Sequence, residues 1–364
     1  MEASDAALRR LVDQVATGHH MKAPLDIRGG GTKSFYGGNP RGEPLDTRAL
    51  AGISSYEPTE LVVTARAGTP LAELEAVLAE KGQVLAFEPP HFGPGSTVGG
   101  MVAAGLSGPS RVAAGGMRNH VLGVTMLNGR GEVLTFGGQV MKNVAGYDVS
   151  RLMAGSMGVL GVICEVSLKV LPAAQCTTSL SFDADEVQAL GLLSEWTNQP
   201  LPLNAAAWAA GRLVVRLAGA QGAVSAATHR MGGSVTPEPE ASSWWEDLRE
   251  HRHAFFTLSG DELARGLSMW RVCVPNATVP LGLPGECWLD WAGTQRWVRA
   301  DAPASAIRAA AAAAGGHATL FRGADKSAGV FAPLSAPLMK IHRSLKQAFD
   351  PAGIFNPGRL FADL

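Results

Sequence analysis

Three glycine-rich segments carry the residues of this chain best suited to hold a large anionic cofactor. Arg28-Gly29-Gly30-Gly31-Thr32-Lys33 directly follows a strand-like run, Leu25 to Arg28. Consecutive glycines let several backbone N–H groups converge on one anion where a side chain would block the approach. The spacing is neither the G-x-x-x-x-G-K-[ST] of a Walker loop nor the G-x-G-x-x-G of a dinucleotide turn. It reads as a diphosphate cradle, with a plain tight turn as the alternative. Gly95-Ser96-Thr97-Val98-Gly99-Gly100 opens a helix of small residues reaching Ala104, where helix N–H groups and hydroxyls can hold phosphate or ribityl oxygens. A capped and closely packed helix is the alternative there.

The third segment runs from Lys142-Asn143-Val144-Ala145-Gly146-Tyr147-Asp148 through Arg151 to Gly155-Ser156-Met157-Gly158-Val159-Leu160-Gly161-Val162-Ile163. Its glycines interrupt a helix-to-strand transition and leave room for a flat ring against the backbone. Lys142 is either a charge set beside a reduced ring or an ordinary surface lysine.

The remaining chemistry-bearing residues are weaker candidates. Cys164, Cys176, Cys273 and Cys287 lie far apart with no C-x-x-C pair, so no zinc or iron-sulfur site is signalled and unreactive thiols are expected. His251-Arg252-His253 is expected in a helix, where residues two apart do not face each other, so no metal site is assigned. His91 and His342 remain for proton transfer, His342 on a helix face shared with Lys340, Arg343 and Lys346.

The elements that must position these groups are legible in outline. Helices are expected over Ala6 to Val15, from a Thr69 cap and Pro70 to Lys81, and over Leu338 to Phe349. Strands are expected at Leu61 to Ala65, Gln83 to Phe87, Val121 to Leu127, Glu132 to Phe136 and Val162 to Leu171. Asn128-Gly129-Arg130-Gly131 joins two of them as a hairpin. Beyond residue 173 the glycine clusters give way to strand-helix-strand units and all eight tryptophans appear. The expected division is 1–173, 174–335 and a returning segment 336–364. The class is α+β, with a ferredoxin-like antiparallel sheet in the second part.

Bulk composition agrees with a folded globular protein. Hydrophobic residues make up 46% and charged ones 17%, which excludes extensive disorder. Lys plus Arg (31) nearly equals Asp plus Glu (32) and no cluster of about five or six like charges occurs, which argues against nucleic acid. No apolar stretch reaches the roughly 20 residues of a membrane span, and no apolar run follows a basic start, so a soluble cytoplasmic protein is expected.

On these three segments, and on Leu345-Lys346-Gln347-Ala348-Phe349-Asp350-Pro351-Ala352-Gly353-Ile354-Phe355-Asn356-Pro357-Gly358-Arg359, the chain resembles the vanillyl-alcohol oxidase / PCMH-type flavoprotein family, in its glycolate oxidase and D-lactate dehydrogenase branch. The similarity covers about 25–172 and 338–360. It implies a two-lobed PCMH-type FAD-binding domain with a smaller cap. It assigns the FAD diphosphate to Gly29 to Lys33, the nucleotide to Ser96 to Gly100, and flavin and adenosine contacts to Gly155 to Ile163. Covalent members place histidine where this chain has Thr32, so the FAD is expected to be non-covalent. The paired cap histidines and Glu-His-Gly-Ile-Gly segment of the catalytic branch are missing, Gly315-Gly316-His317-Ala318 standing without the acid. The resemblance therefore implies an FAD-binding subunit, supporting or electron-relaying, in a complex that oxidises glycolate to glyoxylate. Its partners would be a homologous catalytic FAD subunit and an iron-sulfur subunit. Two alternatives stay open: a self-sufficient 2-hydroxy-acid oxidoreductase using Arg322 or Arg343 to hold a carboxylate, and a flavin-free scaffold.

Overall fold

The computed structural model describes residues 5–138 and 147–364; Lys142 to Gly146 of the third segment lie outside them. The described chain forms two compact units. One comprises residues up to 106, 116–172 and 333–364; the other comprises 107–115 and 173–332. Ser107–Gly115 thus packs with the second unit, although nothing in its composition separates it from the glycine-rich stretch around it.

The first unit opens with α1 (Ala6–Met21), whose N-cap Asp5 accepts the N–H groups of Ala7 and Leu8. It outruns the expected Val15 end because the apolar stripe stops before the helix does, and Lys22 in left-handed geometry closes it. The strands β1 (Leu25–Arg28) and β2 (Glu43–Asp46) pair in parallel. The larger sheet contains β3 (Ile53–Glu57), β4 (Val62–Arg66), β6 (Val121–Leu127), β7 (Val133–Gly137) and β8 (Val162–Lys169), in the order β3-β4-β8-β6-β7 and antiparallel throughout. Every residue of β6 is buried, as expected of a strand covered on both faces.

Helix α2 (Leu71–Ala79) buries Leu71, Leu74 and Leu78 against this sheet. Thr69 does not cap it: its hydroxyl bridges the N–H and C=O of Gly52 instead. The strand expected from Gln83 shrinks to β5 (Gln83–Val84), which pairs with β9 (Leu171–Pro172). Two short helices follow in the chain, α3 (Val98–Ala104) and α4 (Arg111–Ala114), and α5 (Val149–Leu152) precedes β8.

In the second unit, β10 (Cys176–Asp183), α6 (Glu186–Thr197), β11 (Leu203–Ala209), β12 (Arg212–Gly219), α7 (Gln221–Met231) and β13 (Ser234–Thr236) form one half. After α8 (Glu240–Arg249) and α9 (Gly260–Ala264), β14 (Ser268–Cys273), β15 (Glu286–Asp290), β16 (Gln295–Ala300), α10 (Ala304–Ala313) and β17 (His317–Arg322) form the other. The eight strands run β13-β10-β12-β11-β15-β16-β14-β17, all antiparallel. Each half has the ferredoxin-like order 4-1-3-2, and β11 and β15 fuse them edge to edge. The chain then returns to the first unit as α11 (Ala336–Phe349).

The histidines of the His251-Arg252-His253 run lie beyond α8, not within a helix; His251 itself has φ 54°. Its ring stacks on Phe256 at 4.1 Å and meets Trp297 edge-on at 4.6 Å. Burial, reinforced by Arg322 and Arg271, pushes its pKa well below the usual histidine value. The folded state therefore keeps His251 neutral while the unfolded chain binds a proton below pH about 6.5. Stability should be lost as pH falls through that value and level off below the folded pKa. Thermal unfolding followed by tryptophan fluorescence should show a falling Tm from pH 7 to pH 5, and His251→Phe should flatten that slope; an unchanged slope would rule the account out.

Candidate functional site

An open cleft of about 850 Å³ in the first unit gathers most of the glycine-rich residues singled out above. The cleft is lined by Arg28, Gly29, Gly30, Gly31, Thr32 and Lys33, by Ser96, Thr97, Gly99 and Gly100, and by Gly158, Gly161 and Ile163.

The cradle is set by close backbone contact. A Cβ on Gly30 would sit 1.4 Å from the Gly95 carbonyl oxygen, and one on Gly29 would sit 2.3 Å from Thr97 Oγ1. The loop after β1 and the loop before α3 therefore touch at main-chain distance, which only glycine permits. Among the described residues, no protein group accepts the N–H of Gly29, Gly30, Gly31 or Thr32. These donors remain available to an anion in the cleft, as a backbone cradle requires.

The start of α3 behaves differently from expectation. Val98 N–H donates to Thr69 O at 3.0 Å, Gly99 N–H to Ala67 O at 2.7 Å, and Gly100 N–H to Thr97 Oγ1 at 3.3 Å. The chain around β4 has taken the donors that a free helix end would offer, because buried N–H groups must be paired wherever a carbonyl is within reach. What this loop offers the cleft is the Ser96 hydroxyl. Lys33 Nζ donates to it at 3.0 Å, to His91 O at 3.0 Å and to Thr32 Oγ1 at 3.3 Å, so the ammonium ties the two loops together.

Four expected site residues do not line this cleft. Val98 and Val162 point into hydrophobic clusters on either side of the sheet, and Gly155 and Ser156 line a separate cleft. Of the histidines, His91 pairs with Glu75 at 2.9 Å and His342 Nδ1 lies 2.9 Å from Leu338 O in its own helix. Arg343 is ion-paired with Asp363, and Arg322 lies over the Phe321 ring. The Cys164 and Cys287 thiols are pushed up to about 12, chiefly by burial, and stay protonated.

Sequence reasoning expected the C-terminal segment to return to the first unit, as it does, but assigned none of its residues to the site. Leu25 N–H donates to Ile354 O at 2.7 Å and Asn356 N–H to Leu25 O at 3.0 Å, so the segment pairs with β1. Asn356 then bridges the cleft floor: its Oδ1 accepts Ile27 N–H at 2.7 Å and its Nδ2 donates to Met157 O at 2.7 Å. The Arg359 guanidinium donates to Tyr36 O at 2.7 Å, Ser34 O at 3.2 Å and the Gly38 carbonyl. Asn356, Arg359, Asp26, Thr47, Ala103 and Met157 all line the cleft. The available signal was the polar pair flanking Pro357-Gly358.

With this geometry in place, the comparisons with known proteins fall into line. A family model described as an FAD binding domain matches residues 7–137, and one described as the C-terminal domain of FAD linked oxidases matches residues 289–360. The chain is 46% identical over 354 residues to glycolate oxidase subunit GlcE of Escherichia coli (strain K12), covering 97% of both chains. It is 32% identical over 189 residues to a D-lactate dehydrogenase of Archaeoglobus fulgidus, covering 50% of this chain and 41% of that one. It is 29% identical over 162 residues to glycolate oxidase subunit GlcD of Bacillus subtilis (strain 168), covering 44% and 34%. A solved alkyldihydroxyacetonephosphate synthase structure shares the fold, with TM-score 0.67 and 16% identity over 96% of this chain and 74% of that one.

Fold and domain matches together define an FAD-dependent oxidoreductase of the PCMH type. Within that class, the chain belongs to the family of the glycolate oxidase subunit GlcE. Among the described residues, no helix is long and apolar enough to cross a membrane.

Two substitutions test the cradle. Gly30→Ala forces a methyl group into the Gly95 carbonyl and should abolish retention of flavin through purification. Arg359→Ala should weaken FAD binding by about ten-fold or more, because at least one charge-assisted hydrogen bond is lost. Arg359→Lys should recover it only in part, since a compact ammonium lacks the planar fork with which the guanidinium reaches carbonyls on separate sides. Fluorescence titration of the apoprotein with FAD provides the measurement, and wild-type affinity in Arg359→Ala would show that the tether does not shape the site.

Proposed function

We propose that this chain is the FAD-binding subunit of a multisubunit complex that oxidises glycolate to glyoxylate, and that it serves there as a supporting or electron-relay flavoprotein. The complex would also contain a homologous catalytic FAD subunit and an iron-sulfur subunit that takes the electrons. The observation that carries this reading is the match to a GlcE subunit over 97% of both chains, since a match limited to the flavin domain would speak for the cofactor alone.

The residues present suit FAD. The N–H groups of Gly29 to Thr32 would hold the diphosphate, with the Thr32 and Ser96 hydroxyls beside them. The cations around the cleft are already engaged: Arg28 with Asp26, Lys33 with three oxygens, Arg359 with three carbonyls. Neutral, fixed dipoles would therefore do most of the anion binding. Gly158, Gly161 and Ile163 would supply backbone against which the ring systems lie. Thr32 offers no imidazole for a covalent link, so the cofactor would be held by these contacts alone.

FAD held here would supply two-electron redox chemistry of the kind that links a 2-hydroxy acid to its carbonyl product, and the chain's own residues would bind and orient it. His317, the cap histidine in the Gly315-Gly316-His317-Ala318 stretch, has its pKa lowered by burial and by Arg271, and no acid stands beside it in sequence. That is the basis for placing substrate oxidation on the partner flavoprotein.

The visible spectrum of the purified chain provides the test. A flavin spectrum should appear, be released into the supernatant on acid precipitation, and stay unbleached when glycolate or D-lactate is added anaerobically. Bleaching without partners would move catalysis into this chain, and a colourless protein would leave it a scaffold.

A further inference from the structure

Gly155 and Ser156, which fall outside the FAD cleft, line a second cleft of about 650 Å³ in the first unit, together with Arg118, Arg151, Leu160 and Leu345. Its composition is that of a ligand site: several leucines form the walls, a few polar groups project among them, and no Asp or Glu is among the described lining residues. Three of those polar groups lack an internal explanation. Ser156 is 5% exposed, and its hydroxyl has no hydrogen-bond partner. Arg151 reaches Asp148 through Nη1 at 3.3 Å, but its Nε is buried with no acceptor. Arg118 is exposed and makes no hydrogen bond or ion pair among the described residues.

A buried hydroxyl and a buried guanidinium N–H with no acceptor are costly, and native proteins keep such groups mainly where something else satisfies them. A second guanidinium lies on the same cleft, in a chain whose charges otherwise nearly cancel. All three groups can donate, and two carry positive charge, so the complementary group is an anion with several acceptor oxygens. The leucine walls require that the anion be attached to an apolar body.

We propose that this cleft binds a small amphipathic anion, a carboxylate or phosphate on a short apolar tail, at a site separate from the FAD cleft. Arg118, Arg151 and Ser156 hold the head group and the leucines hold the tail. The site does not depend on the assignment of glycolate as substrate, and it gives Ser156 a role that the flavin cleft does not.

The test is isothermal titration of the purified, flavin-containing chain with octanoate and with octyl phosphate, using octanol and acetate as controls. At least one anion should bind saturably and neither control should; which anion binds identifies the head group. Arg118→Ala and Ser156→Ala should each weaken that binding by about ten-fold, the scale expected for losing a hydrogen bond to a charged group. Arg118→Ala should leave the flavin absorbance unchanged. The proposal is overturned if neither anion binds saturably, if octanol binds as tightly as the anions, or if both variants bind like the wild type. It is also overturned if Arg118→Ala loses its flavin, because the cleft would then belong to the FAD site. The flavin spectrum recorded on the same samples separates these results from a failure of the FAD assignment.

Discussion

The glycine-lined cleft depends on a buried ion pair at the end of α11. Lys346 Nζ donates to Asp350 Oδ2 at 2.7 Å, and also to Val159 O and Phe355 O, both at 2.8 Å. Asp350 in turn accepts the N–H groups of Ile354 and Phe355 at 3.2 and 2.8 Å. Both side chains are shielded from water, and burial holds the Lys346 pKa down while Asp350 opposes the shift. Removing either partner would leave an uncompensated charge in the interior, at a cost of about 3–5 kcal/mol. The pair turns the chain so that Ile354 and Phe355 enter the core around Leu25 and Leu45, and it places Asn356 and Arg359 at the cleft. Gly129 belongs to the same joint: its N–H donates to Phe349 O at 2.8 Å, and a Cβ there would lie 2.8 Å from the Asp350 Cα.

From this joint the constraint passes to the glycine loop. Asn356 ties Ile27, at the end of β1, to Met157, and Arg359 fixes Ser34, Tyr36 and Gly38 just beyond the cradle. The cradle residues therefore lie between a strand held on one side and a loop held on the other. Such pre-ordering lowers the entropy cost of binding a large flexible ligand.

Much of this was legible in the sequence, for identifiable reasons. Runs of one texture, such as Leu25–Arg28 and the β6–β7 hairpin with its Asn128 turn, declare themselves locally because strand propensity and turn chemistry act over a few residues. The ferredoxin-like halves were readable because strand and helix periodicities alternate cleanly there. The glycines of the cradle were visible by type, but their reason was not: Gly30 is required by Gly95, sixty-five positions away. The free N–H groups expected at α3 were lost to carbonyls of Ala67 and Thr69, a tertiary pairing that no local pattern announces. Thr69 looked like a helix cap and instead holds Gly52, because a loop backbone offered its hydroxyl both a donor and an acceptor. Asn356 and Arg359 sit in a segment whose local sequence says only that a helix has ended.

These placements give the site a particular electrostatic character. A dianionic diphosphate is usually met by lysine or arginine, yet here the nearby cations are engaged by Asp26, by hydroxyls and by carbonyls. Their charge would still raise the potential of the cleft, while the direct contacts would fall to backbone N–H groups whose positions cannot relax independently. Affinity for a cofactor held here would rest on main-chain geometry, and that geometry rests on a terminal segment returning from far along the chain. A ligand that bound only the assembled arrangement would add its binding free energy to the stability of that arrangement. With FAD seated in this cleft, flavin content and closure of the C-terminal joint would be two readings of one equilibrium, coupled through Asn356 and Arg359.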